Sequence, residues 1–170
     1  AYREPLFQGG FIWDFADQAV PLVDRYGRDF FGYGGDCDDR PCDYEFSANG
    51  IYFADHTPTP KLQEVKYLYQ PFKISISRDD IEVENRLLFT ASSAYECLVT
   101  LAREGEVLRE QVLGTDVAPG QTGTYALPVA LPTATGEYTV EVSFRLRQAT
   151  DWAPAGHEVA WEQAVRTVPE

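Results

Sequence analysis

Tyr138, Val140, Val142, Phe144 and Leu146 alternate with Thr139, Glu141, Ser143 and Arg145 in strict period two. Successive side chains of a β-strand point to opposite faces, so this run is a strand with one apolar face and one polar face. Six further short runs follow the same rule and are bounded by turn residues. Ile74 and Ile76 alternate with serines, and Ile81 and Val83 with Asp80, Glu82 and Glu84. Leu98-Val99-Thr100-Leu101 leads through Glu104-Gly105 into Val107, Leu108 and Val112, as a hairpin does. Tyr125-Ala126-Leu127 follows Gly123, and Val159, Trp161, Ala164 and Val165 close the set. Seven short strands with Pro and Gly between them predict an immunoglobulin-like antiparallel β-sandwich over residues 71–170.

Residues 1–70 are of another kind. They hold about two thirds of the chain's Phe, Tyr and Trp. Gly9-Gly10-Phe11-Ile12-Trp13-Asp14-Phe15 is a short apolar run after two glycines, which predicts one buried parallel strand. Residues 19–59 carry Gly, Asp, Pro and aromatics without a clear period, and so many aromatics argue against disorder. Thr57-Pro58-Thr59-Pro60 then sets a helix start. Leu62, Val65, Leu68 and Tyr69 share one face of the helix expected over residues 60–70, and Pro71 stops it. Strand, long loop and helix make one βα unit. A single parallel strand cannot bury both faces alone, so the rest of that domain is expected upstream of Ala1.

Charge narrows the partners. Lys and Arg number 14 against 27 Asp and Glu, giving −13. That sign is the reverse of a nucleic-acid binder's. No apolar run reaches the ~20 residues of a membrane-spanning helix, and no basic segment leads into an apolar one as in a secretory signal. Cys37, Cys42 and Cys97 are an odd set with one close pair, which suits reduced cytosolic thiols better than a disulfide framework or a zinc site. From the residues alone, Trp13 is either a core tryptophan or a flat platform for a sugar ring. Asn49-Gly50 is either a simple turn or a ligand-bearing loop. The acidic stretch from Asp36 to Glu45 lacks the glycine and glutamate of an EF-hand, so a solvated or Arg-paired loop is expected there. Asp14 and Asp17 are expected to hold the loop by hydrogen bonds.

A family resemblance becomes specific in three ordered blocks. Phe7-Gln8-Gly9-Gly10-Phe11-Ile12-Trp13-Asp14-Phe15-Ala16-Asp17-Gln18 resembles the strand that closes the catalytic TIM barrel of family 2 glycoside hydrolases, the large bacterial β-galactosidases. Tyr33-Gly34-Gly35-Asp36 is similar to a second block. Phe46-Ser47-Ala48-Asn49-Gly50-Ile51-Tyr52-Phe53-Ala54-Asp55, with Thr57-Pro58-Thr59-Pro60 and Glu64-Val65-Lys66-Tyr67 after it, resembles a third. Gly156-His157-Glu158-Val159-Ala160-Trp161 also has the family look, and the sandwich fits the domain that follows the barrel.

The resemblance implies a retaining enzyme acting on β-galactosides such as lactose, with two glutamates about 5 Å apart across the glycosidic bond. The family carries them in an Asn-Glu motif and a Glu-Tyr-like motif on earlier barrel strands. Neither occurs here, and Glu4, Glu45 and Glu64 match neither, so no catalytic residue is assigned and the chain alone is expected to be inactive. By resemblance Trp13 lines the galactose site. Asn49 serves both sugar and Na⁺, and Phe46 gives Na⁺ its backbone carbonyl, while the remaining aspartate ligand lies upstream. Cys42 stands where the family has an asparagine associated with a secondary Mg²⁺, and a soft thiol suits that ion poorly. Na⁺ and Mg²⁺ are thus expected in the parent enzyme, with neither held by this piece. The parent is expected to be a cytoplasmic homo-oligomer. Two other readings stand beside this one: a carbohydrate-binding module presenting Trp13, Trp152 and Trp161, and a scaffold sandwich without a ligand.

Overall fold

The computed structural model describes residues 4–42, 44 and 47–169. The chain forms two compact units, Ala1–Lys66 and Tyr67–Glu170, dividing a few residues before Pro71. Its single α-helix among the described residues, α1 (Lys61–Leu68), is one residue shorter at its start and two at its end than residues 60–70, and none of its side chains is fully buried.

The second unit is the expected sandwich. Its strands are β3 (Phe72–Ile76), β4 (Asp80–Asn85), β5 (Tyr95–Arg103), β6 (Glu106–Leu113), β7 (Thr122–Ala126), β8 (Gly136–Leu146) and β9 (Glu158–Val168). They pair antiparallel in two sheets, ordered β3-β4-β7 and β6-β5-β8-β9. The alternation places Tyr138, Val140, Val142 and Phe144 of β8 inside, where they meet Ile74, Ile81 and Val83 of the other sheet and Val99 and Leu101 of β5. Phe72 stacks on Phe144 with ring centroids 4.4 Å apart and takes the edge of Tyr95 at 5.2 Å. Strand β6 departs from its half-buried reading. It pairs only with β5 at the edge of its sheet, and Val107, Leu108 and Val112 are exposed.

One buried polar group ties the loops at one end. Asn85 is fully buried; its Nδ2 donates to Thr90 O at 2.9 Å and to Val117 O at 2.8 Å, while its Oδ1 accepts from Leu87 N at 2.9 Å. Every side-chain polar atom of this amide is therefore partnered, as a buried amide requires.

Two features of the first unit differ from the sequence reading. Residues 19–59 contain a hairpin, β1 (Val20–Val23) against β2 (Asp29–Gly32), with Val20 opposite Gly32. Asp24 builds its turn: Oδ1 accepts from Tyr26 N at 2.8 Å and Arg28 N at 2.9 Å, and Oδ2 from Arg28 Nε at 2.8 Å. The Arg28 N–H, more than the remaining contacts, holds the Asp24 carboxyl below its usual range. The second difference concerns residues 9–15, which form no buried strand. Phe11, Trp13 and Phe15 are exposed, and backbone pairing begins only at Asp14, whose carbonyl accepts from Ile51 N, and continues as a parallel bridge of Ala16 with Tyr52. A strand exists only through neighbours that accept its hydrogen bonds, and among the described residues none flanks residues 9–13.

The three cysteines are free thiols, Cys37 exposed, Cys42 half-buried and Cys97 buried. Burial pushes the Cys97 thiol up to about 12. Since the thiolate is the reactive form, iodoacetamide should alkylate Cys37 in the folded chain and reach Cys97 only in denaturant. Tryptic mass mapping checks this, and Cys97 labelling as fast as Cys37 without denaturant would contradict the packing.

Candidate functional site

Two segments distant in sequence run side by side in the first unit. Ile51 N donates to Asp14 O at 3.1 Å, Tyr52 N to Phe15 O at 2.9 Å, and Asp17 N to Tyr52 O at 3.0 Å. The Phe15 and Tyr52 rings lie 5.0 Å apart beside this pairing. Because the segments are parallel, Trp13 and Asn49 precede the first paired residues and emerge at the same end. Trp13 is 68% exposed in this unit, as are its neighbours Phe11 and Phe15, and Asn49 is exposed as well. Asp14 is buried, and its Oδ1 has no hydrogen-bond partner among the described residues.

The segment carrying Asn49 is held from several sides. Asp17 Oδ1 accepts from Gly50 N at 2.7 Å, the loop-holding role expected of it. Thr59 N and Oγ1 both donate to Ile51 O, at 3.0 and 2.7 Å. Lys61 Nζ donates to Gly50 O at 3.0 Å and Asn49 O at 3.3 Å. Positive φ falls on Ala48, at 61°, and not on Asn49 or Gly50. Glycine is needed at 50 for space instead: a Cβ there would press on Tyr52 O and lie 2.5 Å from Asp17 N. Gly50→Ala should therefore destabilise the first unit by about 1–3 kcal/mol, the usual cost of overpacking. Urea unfolding read on the first unit checks this, and an unchanged midpoint would show that the close approach is absent.

A groove of about 500 Å³ opens beside this segment, lined by Asp17, Phe31, Tyr33, Ser47, Phe53 and Asp55 among others. Asp55 Oδ1 accepts from Thr57 Oγ1 at 2.6 Å and Thr57 N at 2.9 Å. The Thr57 hydroxyl first, then its N–H, keeps the Asp55 carboxyl below the usual range. The hairpin supplies Phe31 to this groove, a contribution the sequence reading lacked because it saw no element there.

Other residues singled out in the sequence lie as follows. Phe46 and Glu45 are outside the described residues, while Glu4 and Glu64 are exposed. In the acidic stretch, Asp36 Oδ2 accepts from Tyr33 N at 2.9 Å and Asp39 Oδ1 from Gly35 N at 3.2 Å, so these carboxylates cap turns. Cys42 is packed near Gly35, whose Cβ position is 3.3 Å from Sγ. Among the described residues no three His, Cys, Asp or Glu side chains gather as a metal site. In the second unit, Trp152 is exposed with the His157 ring edge-on at 5.5 Å. Trp161 is half-buried, its ring against Tyr67 at 5.4 Å, and its backbone N–H donates to Gln70 Oε1 at 3.0 Å. It packs, as its alternating strand position suggested.

The comparisons with known proteins follow the same division. The description "Glycosyl hydrolases family 2, TIM barrel domain" matches residues 1–74, and "Beta-galactosidase, domain 4" matches residues 81–167. The chain belongs to the family 2 glycoside hydrolases, carrying the end of the barrel domain and the β domain after it. Within that family it is 45% identical to the β-galactosidase of Streptococcus thermophilus over 96% of its own length. It shares 45% identity with that of Halalkalibacterium halodurans and 43% with the β-galactosidase BgaC of Bifidobacterium adolescentis, again over 96% of the chain. The chain spans 16% of the length of each of these relatives. Among the described residues no helix is long and apolar enough to cross a membrane.

Proposed function

We propose that this chain is a piece of a retaining β-galactosidase that removes terminal β-D-galactose from β-galactosides such as lactose, and that it supplies one wall of the galactose site. The observation that carries this reading is the parallel pairing that sets the Trp13 segment beside the braced Asn49 segment, within a chain that matches β-galactosidases over 96% of its own length. An indole offers a flat apolar surface to the C–H face of a galactosyl ring. Asn49 presents an amide that accepts through oxygen and donates through nitrogen, so it can take a sugar hydroxyl in either sense.

The exposed Asn49 amide oxygen is a neutral hard donor of the sort Na⁺ accepts, and the Phe46 carbonyl is a second. When bound, the ion would supply a fixed positive charge for a galactosyl hydroxyl. Cys42 is a half-buried thiol and does not suit Mg²⁺, so a magnesium of the parent would be held by other residues. The chain carries no pair of glutamates for acid/base and nucleophile roles; those belong to the remainder of the parent, read as a cytoplasmic homo-oligomer. Residues 72–170 are read as a scaffold.

The test is Trp13→Ala in the full-length enzyme. A platform predicts KM and inhibitor Kd raised by roughly tenfold or more with the melting temperature kept, as loss of one aromatic contact surface implies. A core role would instead cost about 3–5 kcal/mol of stability. Unchanged KM and Kd would remove Trp13 from the site. In the same enzyme, Asn49→Ala should weaken galactoside binding and raise the sodium concentration needed for half-maximal activity; an unaltered sodium curve would sink the metal role.

A further inference from the structure

We propose that Lys61 is the positioning residue for Asn49, fixing the peptide from which that side chain reaches sugar and sodium; this rests on the reading of Asn49 given above. The Asn49–Gly50 peptide is gripped at both of its polar ends. Its N–H, on Gly50, goes to Asp17 Oδ1 at 2.7 Å, and its C=O, on Asn49, takes Lys61 Nζ at 3.3 Å. The same ammonium reaches the next carbonyl, Gly50 O, at 3.0 Å. A peptide unit is planar, so holding its two polar ends fixes the plane's tilt and with it the ψ angle of Asn49. That angle limits where the Asn49 Cβ can aim.

Lys61 also stands at an electrostatically poor place. It opens α1, where the helix dipole favours anions and disfavours a cation. The two carbonyls offset that placement. No backbone N–H among the described residues donates to either carbonyl, so Lys61 is their partner. Asp17 braces one side of the peptide and Lys61 the other. An ammonium 3.3 Å from the backbone oxygen of the residue read as a sodium ligand would, by charge alone, disfavour the ion. Positioning and repulsion therefore predict opposite signs, and the experiment can separate them.

Lys61→Met, Lys61→Arg, Asn49→Ala and the Lys61→Met/Asn49→Ala double variant are compared in the full-length enzyme. The readouts are calorimetric binding of a competitive galactoside inhibitor, the sodium concentration giving half-maximal binding, and kcat against KM. Lys61→Met should weaken inhibitor binding and raise the half-saturating sodium concentration by about fivefold each, the scale of losing one exposed charge-assisted hydrogen bond. KM should rise with kcat nearly unchanged, and Lys61→Arg should recover most of the loss. In the double variant Lys61→Met should add nothing to Asn49→Ala, because its effect passes through that side chain. The proposal is overturned if Lys61→Met leaves both affinities intact, lowers the sodium requirement, or weakens binding equally with and without Asn49. If Asn49→Ala itself changes neither affinity, the site reading fails first and the proposal with it. Circular dichroism melts on each variant separate a binding change from unfolding, and recovery in Lys61→Arg decides the case if Lys61→Met is unstable.

Discussion

Asn85→Ala should lower the melting temperature of the second unit, Tyr67–Glu170, by roughly 15 °C. The substitution strips partners from Thr90 O, Val117 O and Leu87 N at a fully buried position. Each buried group left unpaired costs about 1–3 kcal/mol, and about 1 kcal/mol moves a unit of roughly 100 residues, such as Tyr67–Glu170, by about 4–8 °C. Asn85→Asp should do no better. It keeps an acceptor for Leu87 N but sets a carboxylate oxygen against two carbonyls with no proton to give. Scanning calorimetry on the three proteins decides the matter, and a shift of a few degrees or less would mean that water replaces the amide without cost.

The purified chain should also leave a chromogenic β-galactoside unhydrolysed, at a rate indistinguishable from buffer. Retaining hydrolysis needs two carboxyl groups about 5 Å apart, one giving a proton to the leaving oxygen and one attacking the anomeric carbon. Turnover by chain made in a host lacking its own β-galactosidase would refute the assignment of the chemistry to other parts of the parent.

Six of the seven strands of the sandwich could be read because each turns one face toward the core and one toward water, which writes period two directly into the residues. Asn85 could have been read the same way. Ile81, Val83 and Asn85 keep one phase, and following it two residues further places an amide on the inward side. An amide at an inward position carries no apolar signal of its own, so the alternation of Ile81 and Val83 does not by itself announce Asn85 as part of the core. Val107, Leu108 and Val112 misled in the opposite sense, since β6 lies at a sheet edge and buries none of them. In the first unit the hairpin was hidden by Val20-Pro21-Leu22-Val23 and Asp29-Phe30-Phe31-Gly32, which do not alternate, although Asp24 and Gly27 between them were a turn signal. Trp13 and Asn49 were legible as candidates through the family blocks. Lys61 was not, because its contact depends on where a helix start falls beside a loop, and local sequence does not encode that distance.

The sheet order carries a consequence for how fast this protein is made ready. β5 and β8 are neighbours, pairing from Arg103 with Tyr138 out to Tyr95 with Leu146, yet β6 and β7 lie between them in the chain. The loop enclosing those two strands must close before the central pair gains any contact. Topologies dominated by such distant pairings fold in milliseconds to seconds, whereas local ones take microseconds. Until that loop closes, the apolar faces of β5 and β8 lack their native cover, and exposed strand faces of this kind are where self-association competes with folding.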